Sequence, residues 1–245
     1  MSPPTLSAPG RATWLWDAAH LTPRALDFLG AQRVTEVFLG VPWAGPDAAV
    51  RRAAADLRAR GLRITCLGGD PGWAHDHRLA AAWAKRAIDS GLFAGAHLDV
   101  EPWTLPEWPA RKAPLLAGLQ RAVEAVATLT PTEMDLPGWL ARDHSEQFSS
   151  LLRAASQITV LAYRDRADAI ESEAAAAAVL AVRFARPFRI GVETRPAAEP
   201  QITFADDGRT VLDRELAVVV DRLGRRPGNS GVAIHDLASW LALRP

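Results

Sequence analysis

The sequence of 245 residues has one cysteine, one tyrosine, no imbalance of charge and no long apolar run. With Cys66 alone, no disulfide can form within the chain, and nothing else marks an oxidising compartment. The 28 basic and 28 acidic side chains leave no global field to draw in nucleic acid or an anionic membrane surface, so a neutral ligand fits better. No stretch of about 18 uninterrupted apolar residues occurs, which argues against a helical membrane span. The start, MSPPTLSAPGRATWLWD, lacks the basic segment and apolar run of a secretory signal. Cytoplasm is the simple expectation, although a secreted chain already trimmed of a leader would look the same.

What is present is a regular alternation. Short apolar or β-branched runs recur, each followed by a longer Ala/Arg/Leu-rich stretch of helical period, the pattern of βα units around a parallel sheet. Eight runs stand at 12–16, 34–41, 62–67, 95–100, 132–136, 157–163, 188–192 and 231–234. Between them, helices are predicted over 46–60, 79–90, 114–129, 144–155, 171–185 and 212–223. Eight units in this length predict an α/β fold, a single (β/α)8 barrel domain over 1–245. An open doubly wound sheet competes, because periodicity does not show closure. The alanine run 174–178 reads as barrel helix, alanine having the highest helix propensity. In ITFADDGRTVL an Asp-Gly pair between alternating apolar residues predicts a β-hairpin inserted after the seventh strand.

In such barrels the chemistry lies at the C-terminal strand ends. The fourth run reads AHLDVEPW, and a period of two puts His97, Asp99 and Glu101 on one face while Leu98 and Val100 face the helices. Charges beside a buried strand cost several kcal/mol unless paired, so they need a reason; a structural ion pair with an arginine is the alternative to a functional one. Other strand ends supply Trp43, Trp73, Asp135, Trp139, Tyr163, Arg164, Glu193, His235 and Asp236, with Trp103 just beyond Glu101. Nine tryptophans stand against one tyrosine. Indoles stack on the apolar faces of sugar rings, so Trp43, Trp73, Trp103 and Trp139 are candidates for a carbohydrate groove, with core packing as the alternative.

These motifs resemble those of family 18 glycoside hydrolases. The family's S-x-G-G on the third strand corresponds to CLGG at Cys66 to Gly69, and its D-x-x-D-x-D-x-E on the fourth to AGAHLDVE, where the last two acids survive and His97 replaces the second. Its M-x-Y-D on the sixth corresponds to LAYR, which keeps Tyr163; its tryptophan at the end of the eighth is replaced by His235 and Asp236. The resemblance implies retaining, substrate-assisted cleavage of an N-acetylhexosamine-containing glycan. Glu101 would be the general acid/base, with Asp99 and Tyr163 holding the acetamido group. Glu193, His235, Asp236, His97, Asp135, Arg164 and the loop tryptophans would contact substrate. Asp99 and Glu101 are separated by about 6.6 Å of strand rise, so an ionised Asp99 would help keep Glu101 protonated.

Three alternatives stay open. A two-carboxylate retaining glycosidase would pair Glu101 with Glu193 as nucleophile, the carboxyls about 5 to 5.5 Å apart. A metal-dependent hydrolase would use His97, Asp99, Glu101, Glu193 and His235 as ligands, although no H-x-H ends the first strand. A barrel that binds sugar without cleaving it would carry the same partial motifs. Neither glycosidase reading calls for a metal or other cofactor. The H-D-H of His75 to His77 reads as a helix cap or solvated loop.

Overall fold

In a computed structural model, which describes residues 10–245, eight parallel strands close into a barrel in sequence order. The N-terminal segment read above for a leader lies largely outside the described residues. The strands are β1 (Gly10–Leu15), β2 (Val34–Gly40), β3 (Arg63–Gly68), β4 (Ala96–Leu98), β5 (Thr132–Pro137), β6 (Gln157–Leu161), β7 (Phe188–Glu193) and β8 (Asn229–His235). Closure is made by β1 on β8, from Gly10↔Gly231 to Thr13↔Ile234, which sets aside the open sheet. The helices are α1 (Pro23–Ala31), α2 (Ala48–Ala59), α3 (His77–Ile88), α4 (Trp108–Ala127), α5 (Gly138–Asp143), α6 (Ser145–Ala154), α7 (Ala167–Arg183), α8 (Arg209–Leu223) and α9 (Leu237–Ala242). None of the described helices is long and apolar enough to cross a membrane.

Local chemistry sets the helix starts. Thr22, Asp47 and Asp76 each accept a backbone N–H at the entry of α1, α2 and α3. Asp76 is thus a cap, as read. The alanine run lies inside α7, with Ala174, Ala177 and Ala178 buried against the barrel.

The β-hairpin expected at ITFADDGRTVL is not formed. The Phe204 N–H bonds to the Glu193 carbonyl at the end of β7, and the N–H groups of Asp207 and Gly208 turn back onto the Phe204 carbonyl. Gly208, at φ +88, is the entry residue of α8 rather than a hairpin turn. Phe204 is buried, so the apolar alternation served tertiary packing and not strand pairing.

Period-two alternation divides each strand between two cores. Val37, Leu39, Leu98, Val100, Met134, Leu136, Val160 and Ile190 pack outward against the helices. Ala12, Trp14, Phe38, Leu67, Leu161 and Ala233 fill the barrel. Below them, the buried Arg189 guanidinium bridges Glu36, at 2.7 Å, and Glu133, at 2.9 Å. Above them lies the C-terminal mouth.

Candidate active site

The inward positions that end the strands bring Asp99 and Glu101 after β4, Tyr163 after β6, Glu193 on β7 and His235 on β8 to one mouth, with Asp135 on β5 buried in the barrel interior. Burial raises the Tyr163 phenol, and the charges of Glu193, Asp99, Asp135 and Glu101 raise it further, so it stays a hydroxyl donor. Its ring lies against His235, centroids 6.3 Å apart and planes at 29°.

The approach of β3 to β4 depends on glycine. A side chain at Gly69 would meet the Asp99 carbonyl oxygen, and the Asp99 N–H bonds to the Gly68 carbonyl at 3.0 Å. The CLGG run therefore seats the acidic segment by backbone contact.

Glu101 is half-buried, and burial raises its carboxyl above the ordinary value while the Trp103 indole opposes this. Arg195, whose charge also reaches it, is ion-paired with Glu193 at 3.4 Å instead. A structural ion pair with arginine thus does not account for Glu101. Among the described residues, Asp99, Glu101 and Tyr163 form no hydrogen bonds with one another. Asp99 is pushed well above the usual carboxylate range, first by burial, then by the charges of Asp135 and Glu101. Burial and the neighbouring carboxylates thus favour the acid form of Asp99, against the direction expected from the sequence.

His97 lies inside the barrel and not at the mouth. Its ring stacks on Phe38, centroids 3.7 Å apart, and its Nε2 lies 2.9 Å from Asp135 Oδ2. Burial takes its pKa down to about 4, with Glu133 opposing, so the ring is neutral at pH 7. The same Asp135 oxygen accepts the Trp14 indole N–H at 3.0 Å. Asp135 is 1% exposed, so neither it nor His97 is open to a ligand at rest, contrary to the sequence expectation.

At the other side of the mouth, Trp16 donates to His235 Nε2 at 3.1 Å. An indole N–H can only donate, so the imidazole proton sits on Nδ1, which faces the Glu193 oxygens at 3.0 and 3.1 Å. Glu193 Oε1 also accepts the Thr194 and Arg195 backbone N–H groups, both at 2.8 Å. Burial would raise Glu193, but His235 and these donors hold it below the ordinary value, and its oxygens are occupied.

The remaining candidates divide. Asp236 caps α9 in a reciprocal pair with Ser239, and Arg164 turns to Glu173 at 3.1 Å, so both serve helices. Trp103 and Trp139 meet edge to face at 5.8 Å, with Trp108 against both, as a half-buried wall beyond Glu101. A cleft of about 550 Å³ opens at the ends of β1 to β3, lined by Trp16, Asp17, Trp43, Asp47, Asp70 and Trp73 among others, with none of Asp99, Glu101, Asp135 and Glu193 in its wall. Trp73 is only 5% exposed there, against Trp83, whereas Trp43 is 47% exposed with Arg86 over its ring. Trp16, 38% exposed, was missed as a site residue; its signal was an indole ending the WLW run. Among the described residues no group of three or more His, Cys, Asp or Glu side chains is placed to hold a metal ion, and the metal alternative loses His97 to the barrel interior.

The closed (β/α)8 barrel is similar in fold to several solved structures. An endo-β-N-acetylglucosaminidase from Cordyceps militaris matches with 14% identity and a TM-score of 0.56, over 94% of this chain and 81% of that one. A family 18 chitinase from Cycas revoluta in complex with (GlcNAc)3 matches with 11% identity and a TM-score of 0.59, over 95% and 96%. A protein described as an α-L-fucosidase, from Bacteroides thetaiotaomicron, matches with 10% identity and a TM-score of 0.60, over 96% and 88%. At these identities the likeness establishes the fold. No family model and no curated protein matches the sequence.

Proposed function

We propose that the chain is a glycoside hydrolase acting on an N-acetylhexosamine-containing glycan with retention, the substrate's own acetamido group serving as nucleophile. The observation that carries this reading is Glu101: a carboxyl at the barrel mouth, raised by burial, unpaired with any cation among the described residues, and followed by an aromatic wall. Glu101 gives its proton to the glycosidic oxygen as the acetamido oxygen attacks the anomeric carbon and the C–O bond breaks. Water then opens the cyclic intermediate and returns a proton to Glu101. Asp99 and Tyr163 hold the acetamido group in position, the phenol as donor. The likeness in fold to a chitinase bound to (GlcNAc)3 and to an endo-β-N-acetylglucosaminidase supports the same substrate class.

Glu193 counts against the two-carboxylate scheme, because a nucleophile with both oxygens held by His235, Arg195 and backbone N–H groups must break those bonds to attack. The test is hydrolysis of chitooligosaccharides and aryl N-acetylglucosaminides. Glu101→Gln should lose about 10²- to 10⁴-fold in kcat, whereas Glu193→Gln should act mainly on KM. Unchanged turnover in Glu101→Gln, in a chain that does cleave, overturns the acid assignment. Abolished turnover in Glu193→Gln, restored by azide with inverted product, establishes the two-carboxylate scheme instead. Binding without cleavage by the unaltered chain establishes the sugar-binding barrel.

A further inference from the structure

The barrel floor holds a second cavity, at the end opposite the mouth and unused by the mechanism above. It is a chamber of about 390 Å³ at the N-terminal strand ends, with Thr65, Glu133 and Arg189 in its wall and Arg63, Ser156 and Ser230 nearer the solvent. Period-two alternation turns Thr65 inward, one layer below Leu67, just as Glu36 lies one layer below Phe38. The acid oxygens of this floor are all engaged. Glu36 holds Arg63 on one oxygen and Arg189 on the other. Glu133 faces Arg189 with both oxygens and also accepts from the Thr159 hydroxyl and the Gln157 amide. The donors are not all engaged. Among the described residues, Arg189 Nη1 and Arg63 Nη2 make no hydrogen bond. The Thr65 hydroxyl, on a residue 2% exposed, has no partner either.

A buried hydroxyl without a partner is costly, and two guanidinium groups with N–H to spare stand beside it, so the chamber lacks an acceptor. A carboxylate accepts from several donors at once and matches guanidinium geometry. Glu36 and Glu133 already balance the two arginines, so a single negative charge fits better than a dianion, which both acids would repel more strongly. Toward the solvent, Ser156 accepts the Thr132 N–H and keeps its O–H, while Ser230 donates to the Phe188 carbonyl and keeps its lone pairs. Those groups match hydroxyls on a ligand tail. No aromatic side chain of the described residues lines the chamber, so it offers no stacking face to a sugar ring. We infer that the barrel floor binds a small hydroxycarboxylate, its carboxylate held by Arg63, Arg189 and Thr65. This site does not depend on the glycosidase reading.

The experiment is a titration of the full chain with gluconate at pH 7 and constant ionic strength, followed by ¹³C-methyl NMR, with sorbitol and inorganic phosphate as parallel probes. Gluconate should shift the methyl signals of Ala96 and Thr132, which line the chamber, in a saturable way and at lower concentration than either other probe. Thr65→Val keeps the side-chain shape and removes only the hydroxyl, and its gluconate affinity should fall about tenfold. Arg63→Met, at a half-exposed position that leaves Glu36 paired with Arg189, should weaken gluconate at least about tenfold as well. If no probe moves those signals, water alone fills the chamber and the proposal is overturned. Tighter binding of sorbitol marks a neutral polyol site and tighter binding of phosphate a general anion site, and either result overturns the carboxylate assignment. Unchanged gluconate affinity in both folded variants places the ligand elsewhere and also overturns it.

Discussion

Replacing Arg189 with methionine removes the cation under the barrel while keeping much of its volume. Arg189 is buried and bonds Glu36 and Glu133, so the variant leaves two carboxylates in the interior. They are not equally stranded. Glu36 keeps Arg63, whereas Glu133 keeps only neutral donors, the Thr159 hydroxyl at 2.6 Å and the Gln157 amide at 3.2 Å. Breaking a buried pair costs about 3–5 kcal/mol, and these residual partners put the loss at the lower end, roughly 3 kcal/mol. In a chain of this size that lowers Tm by roughly 6–12 °C. The sign of the pH dependence is a second check. Burial raises the wild-type Glu133, but Arg189 and His97 outweigh it and hold it below its ordinary value, so its contribution is present at neutral pH and fades as pH falls through that lowered value. Without Arg189, burial raises Glu133 above its unfolded value. Its penalty is then full at neutral pH and vanishes below that unfolded value. The stability gap between the two proteins should therefore narrow from pH 7 to about pH 4, measured by urea denaturation followed by circular dichroism. A loss under about 1 kcal/mol at pH 7, or a gap that does not change with pH, refutes the reasoning.

Burial pushes the Cys66 thiol up to about 12, so the folded protein should react with a disulfide reagent only as fast as it opens; rapid labelling without denaturant would contradict this. Gly69→Ala puts a methyl group against the Asp99 carbonyl oxygen, and a loss of about 1–3 kcal/mol in urea melts is expected together with reduced turnover. A variant as stable and active as wild type would show that the β3–β4 approach has slack.

The barrel was legible because parallel strands buried on both faces read as short continuous apolar runs between amphipathic helices. Asp99 and Glu101 were legible for the opposite reason, as charges where such a run should have none. Partners contributed by other elements were not. His97, Arg164 and Asp236 each ended or entered a strand end as polar residues, and their work was decided by Asp135, Glu173 and Ser239. The Asp-Gly pair at 207–208 misled because the same positive φ serves a hairpin turn and a helix entry, and only the bond from Phe204 to Glu193 selects between them.

The layering of the barrel interior links the ionic floor to the acidic mouth. Arg189 offsets two acids at the bottom, and burial, aided by that positive charge, keeps the His97 ring neutral. A neutral His97 has one N–H to give, and with Nε2 on Asp135 that proton, together with the Trp14 indole, commits one carboxyl oxygen and leaves the other bare. A protonated His97 would instead form an ion pair that stabilises Asp135 as an anion, and the repulsion on Asp99 would then have to be relieved by Asp99 alone. The neutrality of His97 thus decides how the buried Asp135 carboxyl is held.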